Sequence, residues 1–366
     1  MPGKSTRLFA LDFFRGLCLI LMTMDHLPSN ILWRFSNPLF GPFGFFTTAS
    51  AFVFISGMAS AKVYGDLYDT AGALATSRRV LRRALQLYVV NTTLLLSVLL
   101  GIGFHWLQGK QWEEQFHRFF IDPDGALLGG VLLLYRPGYF DILPMYALFF
   151  VAIVPVLAAM RRGLASCVVA LSALTWLFAQ ISYQPREAFN PLGYQVLFVF
   201  GLGLGRCTSL ARRFLESAAA SKIARLCAMA ALAFFLSRLA LATFETAPDI
   251  VGWRVLTHVE NNGPIRLLNF ALVAFLLARV WTRLPMAPLI GSGVAQWIAG
   301  LGRHSLPVFA WSLAATYTSI ALLPEPATRT WRLMDLLLTT SSLAVPAFLS
   351  ERIKQTKRVN GLVGSR

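Results

Sequence analysis

Four ionisable side chains stand inside the first long apolar run of the chain, LDFFRGLCLILMTMDH: Asp12, Arg15, Asp25 and His26. Each residue of an α-helix turns by about 100° and rises by about 1.5 Å, so Arg15 and His26 share one face, about 16 Å apart along the axis. Asp12 lies on that face at a spacing suited to an ion pair with Arg15, whereas Asp25 points elsewhere. His26 is the base of this stretch that suits proton transfer near neutral pH.

The composition indicates that these groups lie in a membrane. Of the 366 residues, 56% are hydrophobic and 14% are charged, and the mean hydropathy is +0.60. Apolar runs of roughly 17 to 25 residues recur, each long enough to cross about 30 Å of hydrocarbon as a helix. We predict an all-α, polytopic integral membrane protein with about ten transmembrane helices. The predicted spans are Leu8–Leu27, Phe43–Tyr64, Ala84–His105, Tyr139–Ala159, Leu164–Ser182, Leu192–Arg206, Ile223–Thr243, Ile265–Trp281, Ser305–Leu323 and Leu333–Ser350.

Basic residues of the connections predict the orientation. Most of them fall on one side, which the positive-inside rule assigns to the cytoplasm together with both termini, and the opposite connections hold fewer. This distribution also accounts for the formal charge of +16 through topology and anionic lipid, so we discard nucleic-acid binding. Without a visible repeat or soluble segment, residues 1–366 are predicted to form a single transmembrane domain. The basic segments are Lys4 and Arg7, Arg78–Arg83, Arg161 and Arg162, Arg206–Arg225, Arg279–Arg303 and the tail from Arg352.

Charged groups inside a bilayer point to a polar cavity or a partner. Inserting one charged side chain near the bilayer centre costs roughly 2.5 to 3.5 kcal/mol of free energy, so contact with lipid is unfavourable. A functional site is therefore the first interpretation. A structural alternative stays open. Asp12 and Arg15 then form an ion pair near the cytoplasmic surface, and His26 is a polar group at the outer interface.

The first-helix stretch resembles the signature of the OpgC family, inner-membrane succinyltransferases of osmoregulated periplasmic glucans, and more distantly that of the transmembrane acyltransferase superfamily. In that superfamily the first helix carries an arginine and, after ten further residues, a histidine, here Arg15 and His26. His304 stands where we expect asparagine in the family's GRNSL. Similar segments are FVFISGMASAKVYG at Phe52–Gly65, FDILPMY at Phe140–Tyr146, FNPLGYQVLFVFGLGLG at Phe189–Gly205, NNGPIRLLNF at Asn261–Phe270 and GRHSLPVF at Gly302–Phe309.

The resemblance implies an O-acyltransferase of the bacterial inner membrane. An acyl group, succinyl in this family, passes from cytoplasmic acyl-CoA to a hydroxyl of a periplasmic glucan. The implied catalytic residues are His26, Arg15 and Asp25. His26 acts either as general base or as covalent acyl acceptor, and the sequence does not choose between them. The expected partners are membrane lipid, acyl-CoA as donor substrate and a glycan acceptor, with no metal and no nucleic acid.

Further residues are candidates for substrate binding. Arg303 and Ser305 begin a helix on the cytoplasmic side, where basic groups and amides attract the phosphates of CoA. Asp141 either orients sugar hydroxyls or caps the helix that follows it, and Ser56 either approaches the ligand or packs between helices. The candidates for substrate binding are Asp12, Ser56, Asp141, Arg303 and Ser305.

The outer connection Trp106–Gly125 mixes aromatic and polar residues. Its rings Trp106, Trp112, Phe116 and Phe119 either stack on sugar rings or sit at the headgroup level as an interfacial helix.

Two other functional classes compete with an acyltransferase. A transporter would use the same charged groups as a substrate path, but the chain lacks a corresponding pair of interrupted helices in two halves. A membrane scaffold would not explain four ionisable groups on one helix.

Overall fold

The computed structural model describes residues 4–28, 44–182, 189–244, 256–284, 286–322 and 327–363. Within these ranges the chain is helical and no strand is present, which confirms the predicted all-α class. A π-helical turn, Ala61–Gly65, joins α2 to α3. The α-helices are α1 Lys4–His26, α2 Thr48–Ser60, α3 Asp66–Gly103, α4 Lys110–Gln115, α5 His117–Ile121, α6 Pro123–Val131, α7 Ile142–Arg161, α8 Ala165–Ile181, α9 Pro191–Arg206, α10 Thr208–Glu216, α11 Ala218–Phe244, α12 Pro264–Arg283, α13 Met286–Gly291, α14 Gly293–Arg303, α15 Ser305–Leu322, α16 Arg329–Ser342 and α17 Ala344–Val363.

Local sequence explains where several of these helices begin. Thr47 caps α2 and accepts from Ser50 N, and Asn190 caps α9 and accepts from Leu192 N. Such oxygens satisfy amide groups that have no partner in the first helical turn. Proline follows the cap of α9 at its first position, where the missing N–H costs nothing.

Six helical segments in the described part of the chain are long and apolar enough to cross a membrane. The protein is therefore a multi-pass membrane protein, and the count of ten crossings and the orientation of the termini remain predictions. α1 is not among the six segments and carries three of the ionisable groups before its last residue, whereas α8 is a shorter apolar helix. The six are Thr48–Gly103, Ile142–Arg161, Ala218–Leu241, Pro264–Arg283, Ser305–Leu322 and Arg329–Thr356.

Thr48–Gly103 overlaps two of the predicted spans, Phe43–Tyr64 and Ala84–His105. Its 56 residues would extend about 84 Å as one straight helix, well beyond the thickness of a bilayer. Gly72 interrupts it with φ 79° and ψ −178°, a backbone conformation that glycine adopts readily. The break lies between the second and third predicted spans.

The first of two compact units comprises Met1–Ile31 and Pro285–Arg366. In it α1 packs against α14, α15 and α16. The α1–α14 crossing is a backbone contact, because a Cβ on Gly302 would lie 1.8 Å from Asp12 O and one on Gly16 would lie 1.9 Å from Ile298 O. Small residues permit such close approach between membrane helices.

The second unit comprises Leu32–Leu284. Asp69, near the start of α3, forms ion pairs with Arg161 at the end of α7 and Arg206 at the end of α9, the latter at 2.8 Å. These three positions therefore lie at one end of the unit. All three connections belong to the side that the basic-residue pattern assigns to the cytoplasm.

The opposite end of this unit joins the connections assigned to the outer side. Asp141 Oδ2, before α7, accepts from Phe189 N at 3.1 Å, and Asn190 Nδ2, before α9, donates to Asn261 Oδ1 at 2.8 Å. The starts of α7, α9 and α12 therefore lie together, so these three helices run in the same direction, as the predicted topology requires.

Candidate functional site

Arg15 is fixed by a residue from the C-terminal part of the chain. Its Nη2 donates a hydrogen bond of 2.6 Å to Ser305 Oγ. Arg15 is half-buried on α1, and Ser305 is buried at the first position of α15. Because α1 and α14 touch through backbone at Gly302, the start of α15 comes within reach of the guanidinium. A hydrogen bond to a charged group contributes about 1.5–3 kcal/mol.

Asp12 lies in the field of three cations. Arg15, Arg303 and Lys354 are all close enough to act on its carboxylate electrostatically. The fold therefore brings together four of the residues that the sequence selected, Asp12, Arg15, Arg303 and Ser305, in one cluster of the first unit. The hydrogen bond from Arg15 to Ser305 is a contact that the predicted Asp12–Arg15 pair did not include.

His304 connects this cluster to the C-terminal helix α17. It is the C-cap residue of α14, is buried, and its Nε2 lies 2.9 Å from Glu351 Oε2. Sequence reasoning assigned no role to Glu351 and treated Lys354 only as part of the basic tail from Arg352. The one available signal was the histidine that replaces the expected asparagine.

His26 is the last residue of α1. The helix runs without interruption from Lys4, so the sequence-derived spacing of about 16 Å between Arg15 and His26 holds. His26 is half-buried and Asp25 is exposed, in keeping with their predicted positions on different faces. The structure thus places a cation and a base on one continuous helix, and the catalytic roles of Arg15, Asp25 and His26 remain proposals.

Ser56 lies in the second unit, on α2. It is buried, and its hydroxyl has no hydrogen-bond partner among the described residues. The neighbouring Gly57 faces the backbone of α9, since a Cβ there would lie 2.2 Å from Phe198 O. This crossing supports helix packing as the role of Gly57, while the buried Ser56 hydroxyl keeps its candidacy as a binding group.

Asp141 precedes the spanning helix α7 and is buried, and its side chain makes no capping bond to that helix. Its carboxylate instead accepts from Phe189 N, while Arg136 Nη1 donates to Phe189 O at 3.3 Å. Burial raises the pKa of Asp141 to about 6, although the bond from Phe189 and the nearby Arg136 oppose this shift. The residue therefore ties the segment before α9 to the start of α7.

Most aromatic rings of the outer connection are not available to stack on sugars. Trp112, Phe116 and Phe119 are buried inside the unit, whereas Trp106 is 78% exposed. The stacking interpretation is therefore wrong for the three buried rings. Trp106 alone of the four keeps an open face.

Two of the segments that resemble the family meet at the end of the second unit that the predicted topology assigns to the outer side. Tyr194 OH, from FNPLGYQ, donates to Val259 O at 2.8 Å, and Asn190 of the same segment bonds Asn261 of NNGPIRLLNF. Asn261 Nδ2 also donates to Ala179 O at 2.6 Å. The motif residues thus build a polar junction between α8, α9 and the turn before α12.

Arg266 and Asn269 of the same NNGPIRLLNF segment hold the start of α2. Asn269 Oδ1 accepts from Phe45 N at 2.7 Å, and Arg266 donates to Phe45 O and Thr257 O. These contacts were not predicted, because a sequence motif alone does not show which distant segments contact each other.

Within the described residues, no group of three or more His, Cys, Asp or Glu side chains lies close enough to hold a metal ion.

The family model of the OpgC protein matches residues 7–357. The chain belongs to the OpgC family. Membership of the OpgC family indicates a membrane acyltransferase that acts on glucans, and it agrees with the resemblance of the first helix. No curated protein and no solved structure gave a match.

Proposed function

We propose that this OpgC family protein transfers a succinyl group from cytoplasmic acyl-CoA to a hydroxyl of a periplasmic glucan in the bacterial inner membrane. His26 is the reacting group, and Arg15 steadies the donor. Membership of the family supports the acyltransferase class, and the resemblance supports the acyl group, the donor and the acceptor.

One observation carries the assignment of the site. The continuous helix α1 bears Arg15, fixed to Ser305 beside Arg303 and Lys354, and ends at His26 about 16 Å further along the axis. The positive charges of Arg15, Arg303 and Lys354 would bind the phosphates of CoA on the predicted cytoplasmic side. The pantetheine arm spans the distance to the base on the predicted outer side.

Two chemical routes use this arrangement. In direct transfer, neutral His26 takes the proton of the sugar hydroxyl as its oxygen attacks the thioester carbon, and the C–S bond breaks to release CoA. In the covalent route, an imidazole nitrogen attacks the thioester, CoA leaves, and the sugar hydroxyl then displaces the imidazole from the acyl group. Both routes form an oxyanion that fixed hydrogen-bond donors stabilise.

Transfer by the purified protein tests the proposal. The protein is placed in lipid nanodiscs with succinyl-CoA and a glucan, and both free thiol and acylated glucan are measured. We expect thiol release that depends on the glucan and matches the ester formed. In sealed proteoliposomes prepared in parallel, transport of the donor or glucan without ester formation would contradict an acyltransferase and favour a transporter.

Acetyl-CoA and butyryl-CoA, run in parallel, define the acyl group. Equal use of all three donors would overturn the succinyl assignment and leave the acyltransferase class in place.

A further inference from the structure

We propose that Lys354 binds a phosphate group of the CoA donor, and that the His304–Glu351 pair positions the helix that carries it. The proposal rests on the proposed function and extends the donor site to the C-terminal helix α17. Lys354 and Glu351 lie outside the first-helix signature, and the sequence analysis gave Lys354 no role beyond the basic tail from Arg352.

The contact between His304 and Glu351 fixes where α17 lies. His304 stands between Arg303 and Ser305, and its Nε2 is 2.9 Å from Glu351 Oε2. Lys354 follows Glu351 by three residues, a spacing that places both on one face of a helix. The face of α17 that contacts His304 therefore also carries Lys354.

The charges around Lys354 leave an excess of cations. Lys354 and Arg303 act electrostatically on both Asp12 and Glu351, and Arg15 acts on Asp12 as well. Three cations thus share two carboxylates, and the Lys354 side chain is exposed to an incoming ligand. A lysine ammonium binds phosphate as a point charge and does not need the fixed geometry of a guanidinium.

A purely structural ion network is the competing explanation. In that case Lys354 only holds α17 against α1 through Asp12, and its loss changes stability without changing how the donor is recognised. A general effect of surface charge is a second competitor, because anionic lipid also attracts basic residues near a membrane.

A matched pair of substitutions on α17 separates these explanations. Lys354→Gln and Arg352→Gln each remove one positive charge from the same helix, but the Arg352 guanidinium lies over the Phe348 ring, 4.9 Å from its centroid. In nanodiscs of neutral lipid we expect Lys354→Gln to raise the KM for succinyl-CoA about tenfold, with the KM for glucan unchanged. Arg352→Gln should change neither KM by more than about twofold.

The chemical class of the ligand is tested with a donor that lacks phosphate. With succinyl-pantetheine as donor, the wild type and Lys354→Gln should show equal KM values. Lys354→Arg should keep a succinyl-CoA KM close to that of the wild type, because arginine retains the positive charge.

The positioning role of Glu351 is tested by coupling. Glu351→Ala should raise the succinyl-CoA KM in the same direction, and adding it to Lys354→Gln should raise the KM by less than twofold more, since both act through one contact. Effects that multiply fully would show that the pair does not position Lys354.

Binding of coenzyme A alone to the same nanodiscs, measured by calorimetry, keeps the test independent of turnover. Weaker binding by Lys354→Gln but not by Arg352→Gln supports the assignment even if no acceptor is found. Equal binding by all three proteins overturns it, and so does a difference that appears only in anionic lipid. If the wild type binds coenzyme A but transfers nothing from any acyl-CoA, the proposed function fails and the binding assignment is judged on these affinities alone.

Discussion

Arg15 and Ser305 share a hydrogen bond of 2.6 Å although 290 positions separate them in the chain. The bond exists because α1 and α14 cross with their backbones in contact, which brings the first residue of α15 beside α1. The direction of the guanidinium is thus set by the C-terminal part of the first unit, and not by the helix that carries it.

Replacing Arg15 by Lys should impair donor use even if the protein inserts normally. An ammonium does not reproduce the planar, multiple donors of a guanidinium, so we expect the succinyl-CoA KM to rise about tenfold or more. Ser305→Ala should give a smaller rise in the same parameter, and the double variant should be little worse than Arg15→Lys. Wild-type kinetics in Arg15→Lys would favour a structural role for this arginine.

The backbone crossing of α1 and α14 makes a prediction about stability. Gly302→Ala should destabilise the protein by about 1–3 kcal/mol or more, because its Cβ would lie 1.8 Å from Asp12 O. Gly293→Ala is the matched control on the same helix, since nothing lies within 4 Å of a Cβ there. It should be neutral or stabilise by about 0.4–1 kcal/mol. Thermal unfolding in one detergent measures both, and equal melting temperatures would contradict the crossing.

The helical periodicity of residues 11–26 was enough to predict α1 and the face that carries its charged residues. The common face of Arg15 and His26 follows from a turn of about 100° per residue, and the uninterrupted helix confirms the spacing. Ser305 as the partner of Arg15 was beyond sequence reasoning, because no local pattern reports which distant helices touch. The glycines that allow the contact carry no such information until both backbones are seen.

The connection Trp106–Gly125 shows why the burial of aromatic residues on short helices is hard to predict from sequence. Trp112 and Phe116 lie on helices of five or six residues or at their ends, too short to show an apolar face. Mixed with acidic and basic neighbours, they looked like a surface, whereas the fold buries both rings. The His304–Glu351 contact was hidden for another reason, because Glu351 sits in a charged segment that topology already explained.

Asp141 should make stability depend on pH. Burial raises the pKa of Asp141 to about 6 in the folded protein, above the value of about 3.9 in an unfolded chain. The folded state therefore favours the protonated carboxyl, so its contribution is most favourable below about pH 4 and is lost as pH rises through about 6. Asp141→Asn, whose amide oxygen still accepts from Phe189 N, should remove this dependence. Thermal unfolding between pH 4 and pH 8 measures the difference, and identical curves would contradict it.

The same variant tests the proposed contact of Asp141 with the acceptor. A glucan KM that rises in Asp141→Asn, with the donor KM unchanged, supports substrate binding by the carboxylate. An unchanged glucan KM limits the residue to holding the segment before α9.

Reporter fusions should place both termini in the cytoplasm. The ten predicted spans and the basic connections require an even number of crossings. A phosphatase fused after residue 366 should be inactive, and one fused within the connection before α12 should be active. An active phosphatase at the C-terminus would show that this end lies in the periplasm, which would contradict the predicted topology. Arg15 and His26 could then no longer be assigned to the cytoplasmic and outer sides.

His26→Ala should abolish transfer in a protein that inserts and unfolds like the wild type. Loss of a general base typically costs 10² to 10⁴ in rate, loss of a covalent acceptor costs all of it, and loss of an interfacial histidine costs almost nothing. The reacting imidazole must be neutral, so wild-type transfer should fall once the pH is low enough for the imidazole to take up a proton. His117→Ala, which removes an exposed histidine from the start of α5, serves as the comparison and should keep the wild-type rate and its fall at low pH. Near wild-type transfer by His26→Ala would end the catalytic assignment, whereas an acyl group trapped on His26 after rapid quenching with acid would select the covalent route.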